Sequence, residues 1–342
     1  MRFANSGTEA VMGAIRTARG FTKRDKVVIV EGSFHGLNDE MMWKSDLEKW
    51  TLGSSASPDV IPFGAGVPKS TLGHVNIISF NDDAMLESIF EKQGDRIACV
   101  LLEPIIGNAG SISARPQWLQ RLRDLCTNHG SLLLIDEVKS GFRVAKGGAQ
   151  QLYGIYADLT TYAKAMGNGY PVAAFGGRAD VMDSVGNHAG GVVHGGTYTG
   201  NLVALRAANA CLDVITNTAA LQAADEAGNK CMQLLQRVFT KHSLPHAFAG
   251  PPAMFGIHLG KHGVPSTYRD WKKTMSDLYV TWSWRLIHHG VMLEPDSREP
   301  WFLCEAHAAM DFDWLEKVCD VSMQEACDSH ARARKVEGRH SE

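Results

Sequence analysis

Apolar and polar positions along the chain alternate between two periods. Residues 8–19 carry apolar side chains at helical spacing, with Thr8 and Glu9 near the start, and predict a helix. Residues 26–30, Lys-Val-Val-Ile-Val, form a short apolar run of strand type. Strands at 75–79, 97–102 and 131–135 then alternate with helices at 84–91 and 117–129. Strands that are apolar throughout and β-branched must be covered on both faces. The alternation therefore predicts an α/β fold with a mostly parallel sheet and helices on both sides. In such sheets the polar working residues gather at the carboxyl ends of the strands. Residues 36–73 are polar and rich in Gly, Ser and Pro, a long loop of the kind that is usually functional.

Past Asn201 the pattern changes. Helices at 202–216 and 219–242 lead into a strand-like stretch at 247–259. A helix at 270–289, short strands at 291–293 and 301–304, and a last helix from about Asp313 follow. The expected division is a large domain over 1–217 and a smaller α+β domain over 218–342.

Composition narrows the classes without naming one. With 342 residues and a formal charge of −3, the chain gives no electrostatic case for nucleic acid or an anionic membrane. No apolar run is long enough to span a bilayer, and the first residues lack the apolar core of a signal peptide. Seven cysteines, none in a C-x-x-C pair, read as reduced core thiols of a cytoplasmic protein rather than a disulfide frame or zinc site. No metal site is expected.

Chemistry concentrates at the predicted strand ends. Leu132-Leu-Leu-Ile-Asp-Glu-Val138 closes a buried-looking strand on Asp136 and Glu137. Lys164 stands between Tyr162, Ala163, Ala165 and Met166, just before the turn Gly-Asn-Gly-Tyr-Pro171. A lysine among apolar neighbours either snorkels or has a depressed pKa suited to imine formation. A lysine together with a strand-end aspartate is what pyridoxal phosphate chemistry asks of a protein: the first forms a Schiff base, the second keeps the pyridine nitrogen protonated. Ser6-Gly-Thr8 begins a helix, where unpaired N–H groups hold an anion or Ser6 simply caps. Phe34 follows a strand and either stacks on a flat ring or packs. Asn108, in the turn after Glu103-Pro104, can present its amide to a ligand oxygen. The run Gly196-Thr-Tyr-Thr-Gly-Asn201 offers a second phosphate contact before a helix.

Taken in order, these segments resemble the class III, fold type I aminotransferases, and within them the glutamate-1-semialdehyde 2,1-aminomutase-like branch. The resemblance is carried by Asn5-Ser-Gly-Thr-Glu-Ala10, Glu31-Gly-Ser-Phe-His-Gly36, Glu103-Pro104, Asp136-Glu-Val-Lys-Ser-Gly-Phe-Arg143, Lys164 with its turn, and residues 196–201. It is looser beyond residue 201, through Gly256-Ile-His-Leu and Gly290-Val-Met-Leu. It implies a fold type I transferase with a mostly parallel seven-stranded sheet, pyridoxal 5′-phosphate as cofactor, and a homodimer whose sites are shared across the interface. By the same resemblance Lys164 would carry the cofactor and shuttle a proton, and Asp136 would pair with the ring nitrogen. Val138 and Phe34 would flank the ring, Ser6, Gly7 and Thr8 would hold the phosphate, and Asn108 would sit near the ring hydroxyl. Thr197 would reach the partner subunit's phosphate, residues 37–73 would gate the site, and Arg298 would meet a substrate carboxylate. Beside Asp296 and Glu299, Arg298 also reads as a surface ion pair.

The implied activity is transfer of an amino group between an amino acid or related amine and a keto or aldehyde acceptor. An aminomutase or racemase on the same scaffold is the alternative. Family members carry a segment before the phosphate motif, whereas this chain opens almost directly on it. A fragment, a misassigned start or a short variant that binds cofactor with impaired catalysis is therefore a third reading. Leu202 stands where a proline often follows Gly-Asn.

Overall fold

Every residue of the strands Ile97–Leu102 (β4) and Leu132–Asp136 (β5) is buried, which is what apolar runs with no polar alternation require. In the computed structural model, which describes residues 1–44, 53–54, 57–58 and 60–339, these are the central strands of a seven-stranded sheet. The others are Arg2–Ala4 (β1), Lys26–Val30 (β2), Val75–Ile78 (β3), Leu159–Tyr162 (β6) and Ala173–Gly177 (β7). The spatial order is β1-β7-β6-β5-β4-β2-β3. The run from β3 to β6 is parallel, while β7 lies antiparallel to both β6 and β1. The expected mostly parallel seven-stranded sheet of the fold type I class is thus present.

Helix α1 (Gly7–Thr22) crosses this sheet. Its N-cap is Ser6, whose hydroxyl accepts from the Glu9 N–H, and its C-cap Lys23 sits in the left-handed region at φ 58°. The face it buries is small: Ala10, Ala14 and Ala18 repeat at four-residue spacing beside Val11 and Ile15. Such a face lets the helix axis approach the strands closely. Helices Asp83–Gln93 (α2), Pro116–His129 (α3) and Gly148–Tyr153 (α4) complete the crossovers. Asp82 caps α2 through Met85 N–H, and Pro116 opens α3 at the position where a missing N–H costs nothing. Helix α5 spans Leu202–Asn217.

The chain divides into two compact units. The first is Met1–Ile106 with Ser113–Thr218; the second is Gly107–Ile112 with Ala219–Glu342. The second contains helix α6 (Ala220–Lys241), a three-stranded antiparallel sheet of His246–Ala249 (β8), Met254–Leu259 (β9) and Trp301–Phe302 (β10), and helices α7 (Ser276–His288) and α8 (Phe312–Arg339). Its core is aromatic: Trp282 lies parallel to Trp301 at 6.0 Å between centroids, and Phe239 meets Trp282 edge-on at 5.4 Å.

Four expectations change. The strand-like stretch 247–259 is a pair of antiparallel strands, because Gly250, at φ +83°, turns the chain before Pro251 and Pro252. The helix expected over 270–289 is broken into Tyr268–Trp271 and Ser276–His288. Between them the Met275 N–H leaves the helical ladder and donates to the Leu259 carbonyl. Residues 291–293 form no strand, since Gly290 turns at φ +92° and Met292 points into solvent. Finally, the polar loop 36–73 is anchored at its ends: Met41 and Trp43 are buried in the core of the first unit, and Trp43 Nε1 donates to Thr71 Oγ1 at 2.8 Å. Residues 45–52, 55–56 and 59, on which the expected gating falls, lie outside the described residues.

Candidate active site

At the carboxyl edge of the parallel strands a cavity of about 240 Å³ opens. Its wall is assembled from four strand ends and one helix start, all in the first unit. Strand β2 delivers Phe34, His35 and Gly36; β4 delivers Glu103; β5 delivers Asp136, Val138 and Lys139; β6 delivers Ala163 and Lys164; and α1 contributes Ser6, Gly7 and Thr8. This is the crevice location expected for an open α/β sheet.

Asp136 is the fixed point. Its side chain is 3 % exposed, yet three donors face it. Thr161 Oγ1 donates to Oδ1 at 2.9 Å, the Val138 N–H donates to the same oxygen at 3.0 Å, and His35 Nδ1 lies 2.8 Å from Oδ2. A carboxylate with donors on both oxygens is locked in orientation. His35 is itself buried, and its Nε2 has no hydrogen-bond partner.

Glu137, next in sequence, has another function. Strand geometry turns its side chain to the opposite face, where it accepts from the Ser140 hydroxyl, from the Ala149 N–H at 3.0 Å and from the Gln150 N–H at 2.9 Å. It satisfies the open first turn of α4. Burial pushes its carboxyl upward, and the Ser140 hydroxyl with the two N–H groups opposes that shift.

At the start of α1 the backbone N–H groups of Gly7 and Thr8 face the cavity end of the helix, and Ser6 Oγ accepts from Glu9 N–H at 3.3 Å. A side chain on Gly7 would stand 3.2 Å from both Val138 methyl groups, and one on Gly36, at φ +88°, would overlap Thr8. Bare backbone at these two positions keeps the concavity open.

Lys164 opens a single turn at φ +42°, an uncommon conformation for a residue with a side chain. Its carbonyl accepts from the N–H groups of Gly167 and Asn168, which hold that turn. Its sequence neighbours Ala163 and Met166 pack into the interior, but Lys164 is exposed and lines the cavity. The apolar burial expected for its amine is therefore corrected: Lys164 is exposed, with Ala163, Val138 and Val172 sharing its cavity wall.

Phe34 and Val138 both line the cavity. Behind Phe34 lies Lys44, a buried lysine whose Nζ donates to the Ser33 carbonyl at 2.6 Å and sits 5.8 Å from the Phe34 ring centroid. Burial lowers its pKa from 10.5 to about 8, against the attraction of Glu103. Below pH 8 the folded chain holds a charge that the unfolded chain leaves in water. This costs at most about 3 kcal/mol, and the cost fades as pH rises from about 8 to 10.5. Lys44→Met is expected to raise stability by about 1–2 kcal/mol at pH 7, after loss of the Ser33 hydrogen bond. Urea midpoints at pH 7 and pH 10 check this; a stabilisation that grows with pH would contradict it.

The remaining expected residues lie elsewhere. Thr197 is exposed in the turn before α5 and is not part of the cavity wall. Asn108 belongs to the second unit, where its Nδ2 donates to Glu299 Oε1 at 2.9 Å and its Oδ1 is buried without a partner. Arg298, also in the second unit, is held by Asp296, with Nε 2.9 Å from Oδ2 and 3.1 Å from Oδ1. An incoming carboxylate at Arg298 competes with that pair. Wall residues that carried no assigned role from sequence include His35, Glu103, Lys139 and Tyr170. All four stand inside the motif segments, so position gave a signal but no partner.

The family model for aminotransferase class III matches residues 1–294. A glutamate-1-semialdehyde 2,1-aminomutase of Polynucleobacter asymbioticus is 38% identical over 307 residues, which cover 90% of this chain and 70% of that protein. Among solved structures, an omega-transaminase from Sphaerobacter thermophilus superposes with a TM-score of 0.81 at 29% identity, covering 95% of this chain and 74% of its own. A transaminase with pyridoxal phosphate bound superposes with a TM-score of 0.80 at 25% identity, over 96% of this chain and 74% of its own. The chain belongs to the class III aminotransferases, fold type I proteins that work with pyridoxal 5′-phosphate.

Proposed function

We propose that this chain moves an amino group from an amino acid or related amine to a keto or aldehyde acceptor, with Lys164 and Asp136 as its catalytic residues. The observation that carries the reading is that a lysine and an oriented, buried aspartate face one cavity with an anion-binding helix start.

The residues fit the cofactor. Open N–H groups at the start of α1 suit a phosphate, and the glycines at 7 and 36 leave room for it. Asp136 suits a protonated ring nitrogen, since its donors fix its orientation and leave it one of the wall's two carboxyl groups. When bound, the cofactor supplies an aldehyde and an electron-withdrawing ring, so that the carbon bearing the substrate's nitrogen becomes acidic.

The chain's own residues do the rest. Ser6, Gly7 and Thr8 bind the phosphate, and Phe34 and Val138 hold the ring flat. Asp136, steadied by Thr161, Val138 and His35, keeps a proton on the ring nitrogen. Lys164 Nζ would hold the cofactor at its aldehyde carbon until the substrate's amine takes that place, and the freed amine would then carry a proton between the substrate carbon and the carbon on the other side of the nitrogen. Its exposure in the single chain gives the amine freedom to swing between the two positions.

Two copies are proposed to act together. Tyr198, Leu202 and Val203 are exposed by 71 %, 75 % and 65 %, an apolar cluster next to Thr197 that calls for cover. In that arrangement Thr197 reaches the phosphate bound by the partner subunit.

Intramolecular transfer, an aminomutase reaction, is a second reading, favoured by the 38% identity to the Polynucleobacter protein. Racemisation uses the same proton-handling residues. The test is a panel of amino donors with and without an added keto acid. Conversion of bound cofactor to its amine form, with sustained turnover only when acceptor is present, supports the first reading. Sustained turnover of a single substrate without acceptor overturns it in favour of the second.

A further inference from the structure

Past β2 the chain turns at Gly32, φ +80°. Ser33 is then pinned to the Val30 carbonyl, by its N–H at 3.2 Å and by its hydroxyl at 2.6 Å. Two residues on, His35 is tied to Asp136. Ser33 and His35 are buried, and Phe34 between them is exposed on the cavity wall. The direction of its ring therefore follows the setting of the Ser33–Phe34 peptide.

Two buried charged side chains meet that one peptide from opposite ends. Lys44 Nζ donates to its carbonyl, that of Ser33, at 2.6 Å. Glu103 Oε1 accepts from its N–H, that of Phe34, at 3.2 Å. A peptide unit is a dipole, negative at the oxygen and positive at the N–H. A cation at the first end and a carboxylate at the second hold it in one orientation. The two side chains come from separate parts of the first unit. Lys44 belongs to the two-residue strand Trp43–Lys44, which pairs with Ile61–Pro62 inside the polar loop, and Glu103 follows the last residue of β4.

Burial disfavours both charges. It lowers the Lys44 pKa to about 8 and pushes the Glu103 carboxyl upward, and the Phe34 N–H is one of the groups that draw Glu103 back. A methionine fills the place of Lys44 without that cost, so the ammonium is a loss to the fold unless it does what an apolar side chain cannot. An apolar side chain cannot hold a peptide plane. Lys44 holds this one, and with it the Phe34 ring, whose centroid lies 5.8 Å from Nζ.

We propose that Lys44 and Glu103 are a pair of positioning residues, opposite charges that clamp the Ser33–Phe34 peptide from its two ends and so set the angle at which Phe34 meets the cofactor ring. The proposal rests on the cofactor reading, in which Phe34 flanks that ring. It also ties the polar loop, through Lys44, to the ring-facing side chain by a single hydrogen bond.

The test uses the full chain with Lys44→Met, which removes the cation at nearly constant volume, and with Glu103→Gln, which keeps an acceptor without the charge. The first readout needs no cofactor. Exchange of the Phe34 amide hydrogen should quicken by about three- to tenfold in each variant. The second readout is taken with pyridoxal 5′-phosphate bound. Visible circular dichroism per bound cofactor, which reports how the ring is held, should fall by about half, and the cofactor Kd should rise by about three- to tenfold, the range for a misplaced aromatic contact. Lys44→Met should do this while raising the urea midpoint, an opposition that general loosening of the fold does not produce. In a Phe34→Ala background neither variant should change Kd by more than about twofold, because the clamp acts through that ring. An unchanged Phe34 exchange rate in either variant overturns the proposal. So does faster exchange with unchanged cofactor signals, or a loss of affinity that is as large in the Phe34→Ala background. Failure of the cofactor reading shows separately, as absence of Lys164-dependent covalent attachment in the unmodified chain; it removes the purpose of the clamp, while the exchange rates still judge the clamp itself.

Discussion

Lys164→Ala is expected to lose all borohydride-stable attachment of the cofactor and to slow amino transfer by at least about 10⁴-fold. In the proposed roles, removal of the nucleophile and removal of the proton carrier fall on the same side chain. Lys164 contributes little to the packing, being exposed, and the turn it opens is held by its backbone carbonyl. The variant should therefore melt within a few degrees of the unmodified chain. Alanine also tolerates φ +42° no better than lysine, so backbone strain neither helps nor hurts the comparison. Lys164→Arg separates charge from nucleophilicity: it keeps a cation at the wall and should be as inactive as alanine. Peptide mapping after borohydride reduction gives the direct readout. A reduced cofactor still attached to the alanine variant would remove Lys164 from the reading and redirect attention to Lys139, the wall's other amine.

Much of the architecture that places Lys164 is legible in the sequence, for a physical reason. Strands buried on both faces cannot afford polar alternation, so β4 and β5 announce themselves as apolar runs, and their polar residues can only appear at the ends. The cavity is built from those ends. The loop 36–73 was less legible. Composition marks it as polar, yet Met41 and Trp43 are drawn into the core, and scattered apolar residues in a polar stretch give no periodic signal. Asp136 and Glu137 show where sequence stops. They are neighbours of the same chemistry, and only the alternation of a strand sends one to the cavity and the other to the N–H groups of α4. His35 is similar: its motif marks the place, but its partner is 101 residues away. The surroundings of Lys164 were misjudged because apolar neighbours in sequence need not be neighbours in space. Ala163 and Met166 are buried while the lysine between them is exposed.

Asp136→Asn is the second large effect, and its size follows from what an amide can and cannot replace. Asparagine is isosteric, and its Oδ1 can still accept from Thr161 Oγ1 and the Val138 N–H. Its Nδ2 would then face His35 Nδ1, which can accept by moving the ring proton to Nε2, a nitrogen that now has no partner. The fold and the cavity should survive, and phosphate binding at α1 should hold the cofactor affinity within about tenfold. What disappears, on the proposed assignment, is the negative charge that would keep the ring nitrogen protonated. Without it the ring draws electrons weakly, and the substrate carbon loses most of its acidity. Proton transfer at Lys164 should slow by about 10²–10³-fold, the range for losing one preorganised charge contact to a developing anion. Two measurements separate this from a packing defect. Single-turnover traces should slow in the chemical step while the dissociation constant for cofactor stays close to its original value. A cofactor analogue with a permanently charged, alkylated ring nitrogen should restore much of the lost rate in the variant, because it carries the charge without needing a partner to hold the proton. Unchanged turnover in Asp136→Asn, or no recovery with the charged analogue, would mean that the three donors around Asp136 serve the strand end and that the ring nitrogen finds its proton elsewhere.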